Sequence, residues 1–174
     1  LFSDLRDYCS GFSEQIQNNG RLIAELDSLL SLALTAASHR YVKPAVNNSG
    51  VIEMEDSRHP VVERLLPPGE PFIPNSIRLD NEENQILIIT GPNMAGKSTF
   101  IRQAGLIVLL AQIGSYVPAA EASVGIVDRI FTRVGAQDNL AEGESTFLVE
   151  MNETASILNN ATSSSLVLLD EIGR

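Results

Sequence analysis

Between Asp4 and His39 the apolar residues recur at helical spacing, with Ile16, Leu22, Leu26, Leu29, Ala33 and Ala37 near one face. The pattern predicts one long helix or two, with Gly11 and Gly20 as the candidate breaks, and a packing or connecting role for this part. KPAVNNSG, residues 43–50, is turn chemistry, so a boundary is expected near Tyr41 to Gly50. VIEMED then alternates, placing Ile52 and Met54 on one face and Val51, Glu53 and Glu55 on the other. LPPGEPFIPN holds four prolines in ten residues, which excludes helix and predicts a structured loop. Ile77 and Leu79 alternate with charge, DNEEN turns the chain, and Gln85 to Thr90 reads as a fully buried strand.

The second half repeats the alternation of element types. A helix is expected over Lys97 to Ile113, where Ile101, Ala104, Leu106, Val108, Leu109 and Ile113 suggest burial on more than one side. GSYVPA stops it. Asp128 to Val134 reads as a strand, GAQDNLAEGE as a loop, and Ser145 to Asn159 as a helix with Phe147, Met151, Ala155 and Leu158 in register. Leu166 to Leu169 reads as a buried strand that ends in two carboxylates. Strands alternating with helices imply an α/β sheet with parallel character, whose ligands sit at the carboxyl ends of strands. Residues 1–43 form the helical part and 44–174 the α/β part on this reading.

Two stretches at such strand ends carry chemistry. In LIITGPNMAGKSTFIRQ, Gly91, Gly96, Lys97 and Ser98 match G-x-x-x-x-G-K-[ST], the phosphate-binding loop, between an expected strand and an expected helix. The glycines let the main chain curl so that N–H groups face phosphate oxygens, and the helix that follows adds its positive end. Pro92, Asn93, Met94 and Ala95 fill the loop, and Thr99 follows Ser98. Lys97 supplies charge to the β and γ phosphates, and Ser98 offers a hydroxyl to Mg²⁺.

The other stretch is LVLLDE, where Asp170 fits a Mg²⁺ carboxylate and Glu171 a residue that positions attacking water. A solvated acidic strand end is the competing reading, which the phosphate loop upstream outweighs. Ser145 is a natural helix cap and equally a residue at an anion site. Phe72 is either core or a platform for a flat ring. His59, before Pro60 and without an evident partner, reads as structural.

Composition narrows the class. A formal charge of −10 argues against direct contact with a nucleic-acid backbone. The single cysteine, Cys9, excludes an internal disulfide and a Cys/His metal framework, and a reducing cytoplasmic home is expected. The longest apolar stretch, Leu106 to Ile113, is far short of the roughly 20 residues that span a bilayer, so no membrane is expected. The first residue is not Met and the last apolar strand is followed by only a few residues, so the chain reads as a fragment.

SRHPVVE, GEPFIPN, LIITGPNMAGKSTFIRQ, AQIGSYVPA, FTRVGAQDNL, ESTFLVEMNETASILNNAT and SLVLLDEIGR together resemble the ATPase domain of the MutS family of DNA mismatch repair proteins. RLIAELDSLLSLA resembles the end of the lever helix that joins that family's core to its ATPase. The resemblance implies a P-loop NTPase of the ABC-ATPase type, here with an incomplete sheet and preceded by a helical segment. It implies ATP and Mg²⁺ sandwiched at a homodimer interface, with Asn93 near the γ-phosphate and attacking water. It also implies that Ser145 is the signature serine reaching the partner's γ-phosphate and that Phe72 stacks on adenine. Asp170 is then the Mg²⁺ carboxylate and Glu171 the catalytic glutamate. Mismatched DNA would be held by other domains, and MutL and the sliding clamp would be partners. Two alternatives stand beside it: a fragment that binds nucleotide without hydrolysing it, and the ATPase of a recombination-linked relative, though GPNMAGKST and STFLVEM resemble the repair branch better. A transporter ATPase would show an LSGGQ-like signature where EGESTFLVEM stands, and the glycine spacing is not that of a protein kinase.

Overall fold

The structure is a computed structural model that describes residues 1–134 and 146–171. Two compact units emerge, Leu1–His39 and Arg40–Arg174. The first holds α1, Phe2–Ser10, and α2, Ser13–His39. The break falls at Gly11, whose N–H donates to the Tyr8 carbonyl at 3.2 Å, and the Tyr8 and Phe12 rings meet edge to face across it with centroids 5.2 Å apart. Gly20 is absorbed into α2 without interruption. The stripe Ile16, Leu22, Leu26 and Leu29 is exposed.

The second unit is α/β with mixed strand directions. β1, Ala45–Asn47, pairs in parallel with β4, Glu121–Gly125. β2, Ile52–Ser57, lies antiparallel to β4 on one side and to β3, Asn75–Leu79, on the other, which gives the order β1-β4-β2-β3. The alternation in VIEMED holds, since Ile52 and Met54 are buried. β1 and β4 were not anticipated, because three residues of turn-like composition and a small-residue strand carry almost no periodic signal. A short helix, α3, Val62–Leu65, sits in the loop between β2 and β3. The DNEEN turn closes on Asp80, whose Oδ1 accepts the N–H groups of Glu82, Glu83 and Asn84 at 3.0, 2.8 and 2.9 Å.

α4, Lys97–Gln112, packs on β5, Ile130–Val134, and β6, Leu166–Asp170, which form a parallel pair. Ala104, Ile107, Val108 and Ala111 of α4 join Ile52, Met54, Ile77, Val124, Leu166 and Leu168 in one core. The helix is therefore buried along one broad stripe rather than on several sides; Leu109 and Ile113 are exposed. Its last residue reaches the connection between β4 and β5 by a two-way amide pair: Val127 N–H donates to Gln112 Oε1 at 2.6 Å, and Gln112 Nε2 donates to the Val127 carbonyl at 3.1 Å. α5, Thr146–Asn160, turns Glu150 and Ile157 inward, while Leu158 is 76% exposed, so its buried face is rotated from the one expected. Arg133 of β5 and Glu153 of α5 form an ion pair at 3.0 Å, which helps set that rotation.

Two expectations about strands are corrected. β6 buries Leu166, Leu168 and Asp170 but leaves Val167 and Leu169 partly exposed, so only one of its faces is covered. Gln85 to Thr90 forms no ladder with any described strand, and Ile86 and Ile88 are 80% and 81% exposed. An unbroken apolar run signals burial but does not supply the neighbours, and a strand exists only where adjacent main chain satisfies its N–H and C=O groups.

Candidate functional site

The turn 91–96 leads directly into α4. Gly96 is the residue before the helix and lies in the left-handed region, φ 89°, ψ 10°, which a side chain would strain. Met94 has φ 65° and its side chain is fully exposed, so the turn is held in an uncommon shape by its surroundings rather than by core packing. Among the described residues no side chain caps the start of α4, and no acidic residue stands in its first turn. Its first N–H groups are thus free of an internal acceptor, and the helix dipole adds partial positive charge there.

Lys97 folds back over the turn. Its Nζ donates to the carbonyl oxygens of Gly91 at 2.8 Å and Pro92 at 2.9 Å. The ammonium is therefore held against the main chain of the turn. Lys97, Ser98 and Thr99 are half-buried, whereas Gly91, Pro92, Asn93, Met94, Ala95 and Gly96 are exposed. Asp170 ends β6 and is 8% exposed; Glu171 follows at φ 54° and is exposed. Helix α4 and strand β6 are in direct contact through Gly105 and Leu168, so the turn and the carboxylates belong to two packed neighbours.

Ser98 and Asp170 suit Mg²⁺, which takes oxygen ligands and keeps several waters, so a full protein cage is not needed. No group of three or more His, Cys, Asp or Glu able to hold a metal exists among the described residues. Phe72 is half-buried in the loop after α3 and is not part of the main core. Ser145 lies outside the described residues.

His59 is structural in the sense expected. It is buried, and its Nδ1 accepts the N–H groups of Val61 and Val62, each at 3.2 Å, at the start of α3. Burial lowers its pKa, and the nearby Arg102 charge lowers it further. Asp128, before β5, accepts the hydroxyls of Ser165 at 2.7 Å and Thr162 at 2.8 Å, and these bonds hold its pKa below the usual carboxylate range. It ties the approach to β6 and carries no site chemistry.

One buried polar contact was not anticipated. Gln103 of α4 is 1% exposed, and its Nε2 donates to Ser57 Oγ at 2.8 Å; Ser57 Oγ in turn donates to the Asn75 carbonyl at 2.6 Å. Because the Ser57 proton is committed to Asn75, the amide must present its NH₂ group to Ser57. Gln103 Oε1 then accepts no hydrogen bond among the described residues, at a cost of about 1–3 kcal/mol. The sequence held a signal for it: Gln103 stands in register with Ile107 and Ala111, a polar residue on the apolar stripe.

Residues 87–174, just over half of the chain, match the family model for MutS domain V. The chain belongs to the MutS domain V family. It is 60% identical over all 174 residues to the DNA mismatch repair protein MutS of Salinibacter ruber, covering 19% of that protein. It is 60% identical over 159 residues to MutS of Cytophaga hutchinsonii, with 91% of this chain and 19% of that one covered. MutS of Thermodesulfovibrio yellowstonii is 55% identical over 178 residues, covering all of this chain and 21% of the relative. The chain thus spans about a fifth of the MutS relatives it matches. None of the described helices is long and apolar enough to cross a membrane.

Proposed function

We propose that this chain is the ATP-binding and hydrolysing part of a DNA mismatch repair MutS, a P-loop NTPase of the ABC type that passes nucleotide state to DNA held by other domains. The observation that carries the reading is the uncapped start of α4 behind a left-handed Gly96, with the Lys97 ammonium folded over the turn. That arrangement offers main-chain N–H groups, a helix dipole and one mobile cation to a polyphosphate.

Gly91, Pro92, Asn93, Met94, Ala95 and Gly96 shape the cradle, and the N–H groups of Lys97, Ser98 and Thr99 complete it. Lys97 exchanges its two carbonyl contacts for β- and γ-phosphate oxygens and so adds charge without a rearrangement of the main chain. Ser98 and Asp170 would hold Mg²⁺, which would supply positive charge against the charge that develops on the phosphates. Glu171 and Asn93 orient the attacking water, Glu171 from the exposed position that follows β6. Phe72 stacks on the base. By the family resemblance Ser145 reaches the γ-phosphate of a second copy, so the working form is a homodimer, and mismatched DNA, MutL and the sliding clamp are partners of the whole protein. The names of the relatives favour the repair branch over the recombination-linked one.

The test is Lys97→Ala in the full-length protein, read as ATP affinity by titration calorimetry. Losing charge-assisted bonds to phosphate weakens binding roughly 10- to 100-fold. Unchanged affinity would overturn the phosphate-loop assignment.

A further inference from the structure

We infer that Gln103 and Ser57 form a positioning link that fixes the spacing between the phosphate end and the base end of the nucleotide site. The inference deepens the reading above and rests on it. Gln103 lies six residues after Lys97, about 9 Å along the helix axis, so it moves with the phosphate cradle as one rigid element. Ser57 and Asn75 are directly paired across β2 and β3, and between them runs the whole loop 58–74 that carries Phe72. The Ser57 hydroxyl closes the base of that loop by its bond to the Asn75 carbonyl and receives the Gln103 amide at the same atom. A single buried oxygen therefore joins the helix behind the phosphates to both ends of the loop that holds the ring platform.

The choice of residue supports this use. Gln103 stands on the apolar stripe of α4, where a methionine of similar size would fill the space, and an amide there leaves Oε1 buried with no donor to it among the described residues. A side chain kept at such a cost is explained by the one bond it makes. The bond crosses from α4 to β2, two elements that also share the apolar core, and apolar packing resists separation but permits sliding. A hydrogen bond between buried partners fixes the register as well as the distance.

The experiment compares two ligands in the full-length protein: ATP, which uses both ends of the site, and inorganic tripolyphosphate, which uses the phosphate end alone. Gln103→Met and Ser57→Ala are each expected to weaken ATP binding roughly tenfold, the scale of one stacked base, and to leave tripolyphosphate within about twofold of wild type. The double variant is expected to be no worse than the poorer single one, since both remove one link. Equal weakening of ATP and tripolyphosphate, or no weakening of ATP, would overturn the link while leaving nucleotide binding intact. A wild-type protein that binds neither ligand overturns the nucleotide reading itself. Should Gln103→Met fail to fold, Ser57→Ala decides the matter by the same ratio.

Discussion

Gly105→Ala is a direct probe of how α4 is seated on β6. A Cβ at Gly105 would overlap Leu168 Cδ1, and Leu168 is itself core. In an open helix the same change gains about 1 kcal/mol. Forcing one extra carbon into a filled core costs about 1–3 kcal/mol. The clashing atom is the end of a leucine side chain, but Leu168 is held in the core and has little room to turn, so the middle of that range, about 2 kcal/mol, applies and, less the helix gain, a net loss of about 1 kcal/mol is expected. The assay is native-state hydrogen exchange in the full-length protein, read at Ile107 and Val108, both fully buried on the same helix. Leu168→Val removes the clashing methyl and should recover most of the loss in the double variant. A further consequence concerns function: α4 begins with Lys97 and Ser98 while β6 ends with Asp170, so a helix lifted from the strand separates the proposed phosphate and metal residues. Turnover should fall more steeply than stability, because displacements near 1 Å cost roughly a hundredfold in rate. Protection at Ile107 and Val108 that rises by about 1 kcal/mol would show open space beside Gly105 and refute the packing argument.

Two other outcomes are expected. His59 has a folded pKa below its ordinary value, so the stability it contributes is complete above about pH 6.5 and is lost as pH falls from there through the lowered folded pKa. Protonation of Nδ1 removes the acceptor for Val61 and Val62, so a histidine NMR titration should place its pKa below 6.5 and show those two amides losing protection with it; a value at or above 6.5 contradicts the cap. Glu171→Gln should leave ATP affinity in place while slowing hydrolysis roughly 10²- to 10⁴-fold, and turnover equal to wild type would remove Glu171 from the chemistry.

Local backbone geometry was legible along the chain wherever one residue type has one use. Gly96 could be assigned a turn because only glycine enters the left-handed region at no cost, and the position found for it bears this out. Ile52 and Met54 declared their face by a period of two. His59 declared itself by having nothing beside it to work with.

Partners were decided only by the tertiary structure, because the neighbours of an element are set by distant parts of the chain. The apolar run Gln85 to Thr90 announces a wish for burial that the described elements do not meet. The face of α5 was misjudged because Glu150 is buried and Leu158 exposed, an arrangement that residue type alone argues against. The bond from Gln103 to Ser57 spans 46 positions and exists only because α4 crosses the end of β2. Sequence alone named the candidates for meeting a phosphate, because that motif lies within one turn and the helix after it. What ties the turn to the loop carrying Phe72 is a matter of packing, and packing is a property of the folded chain.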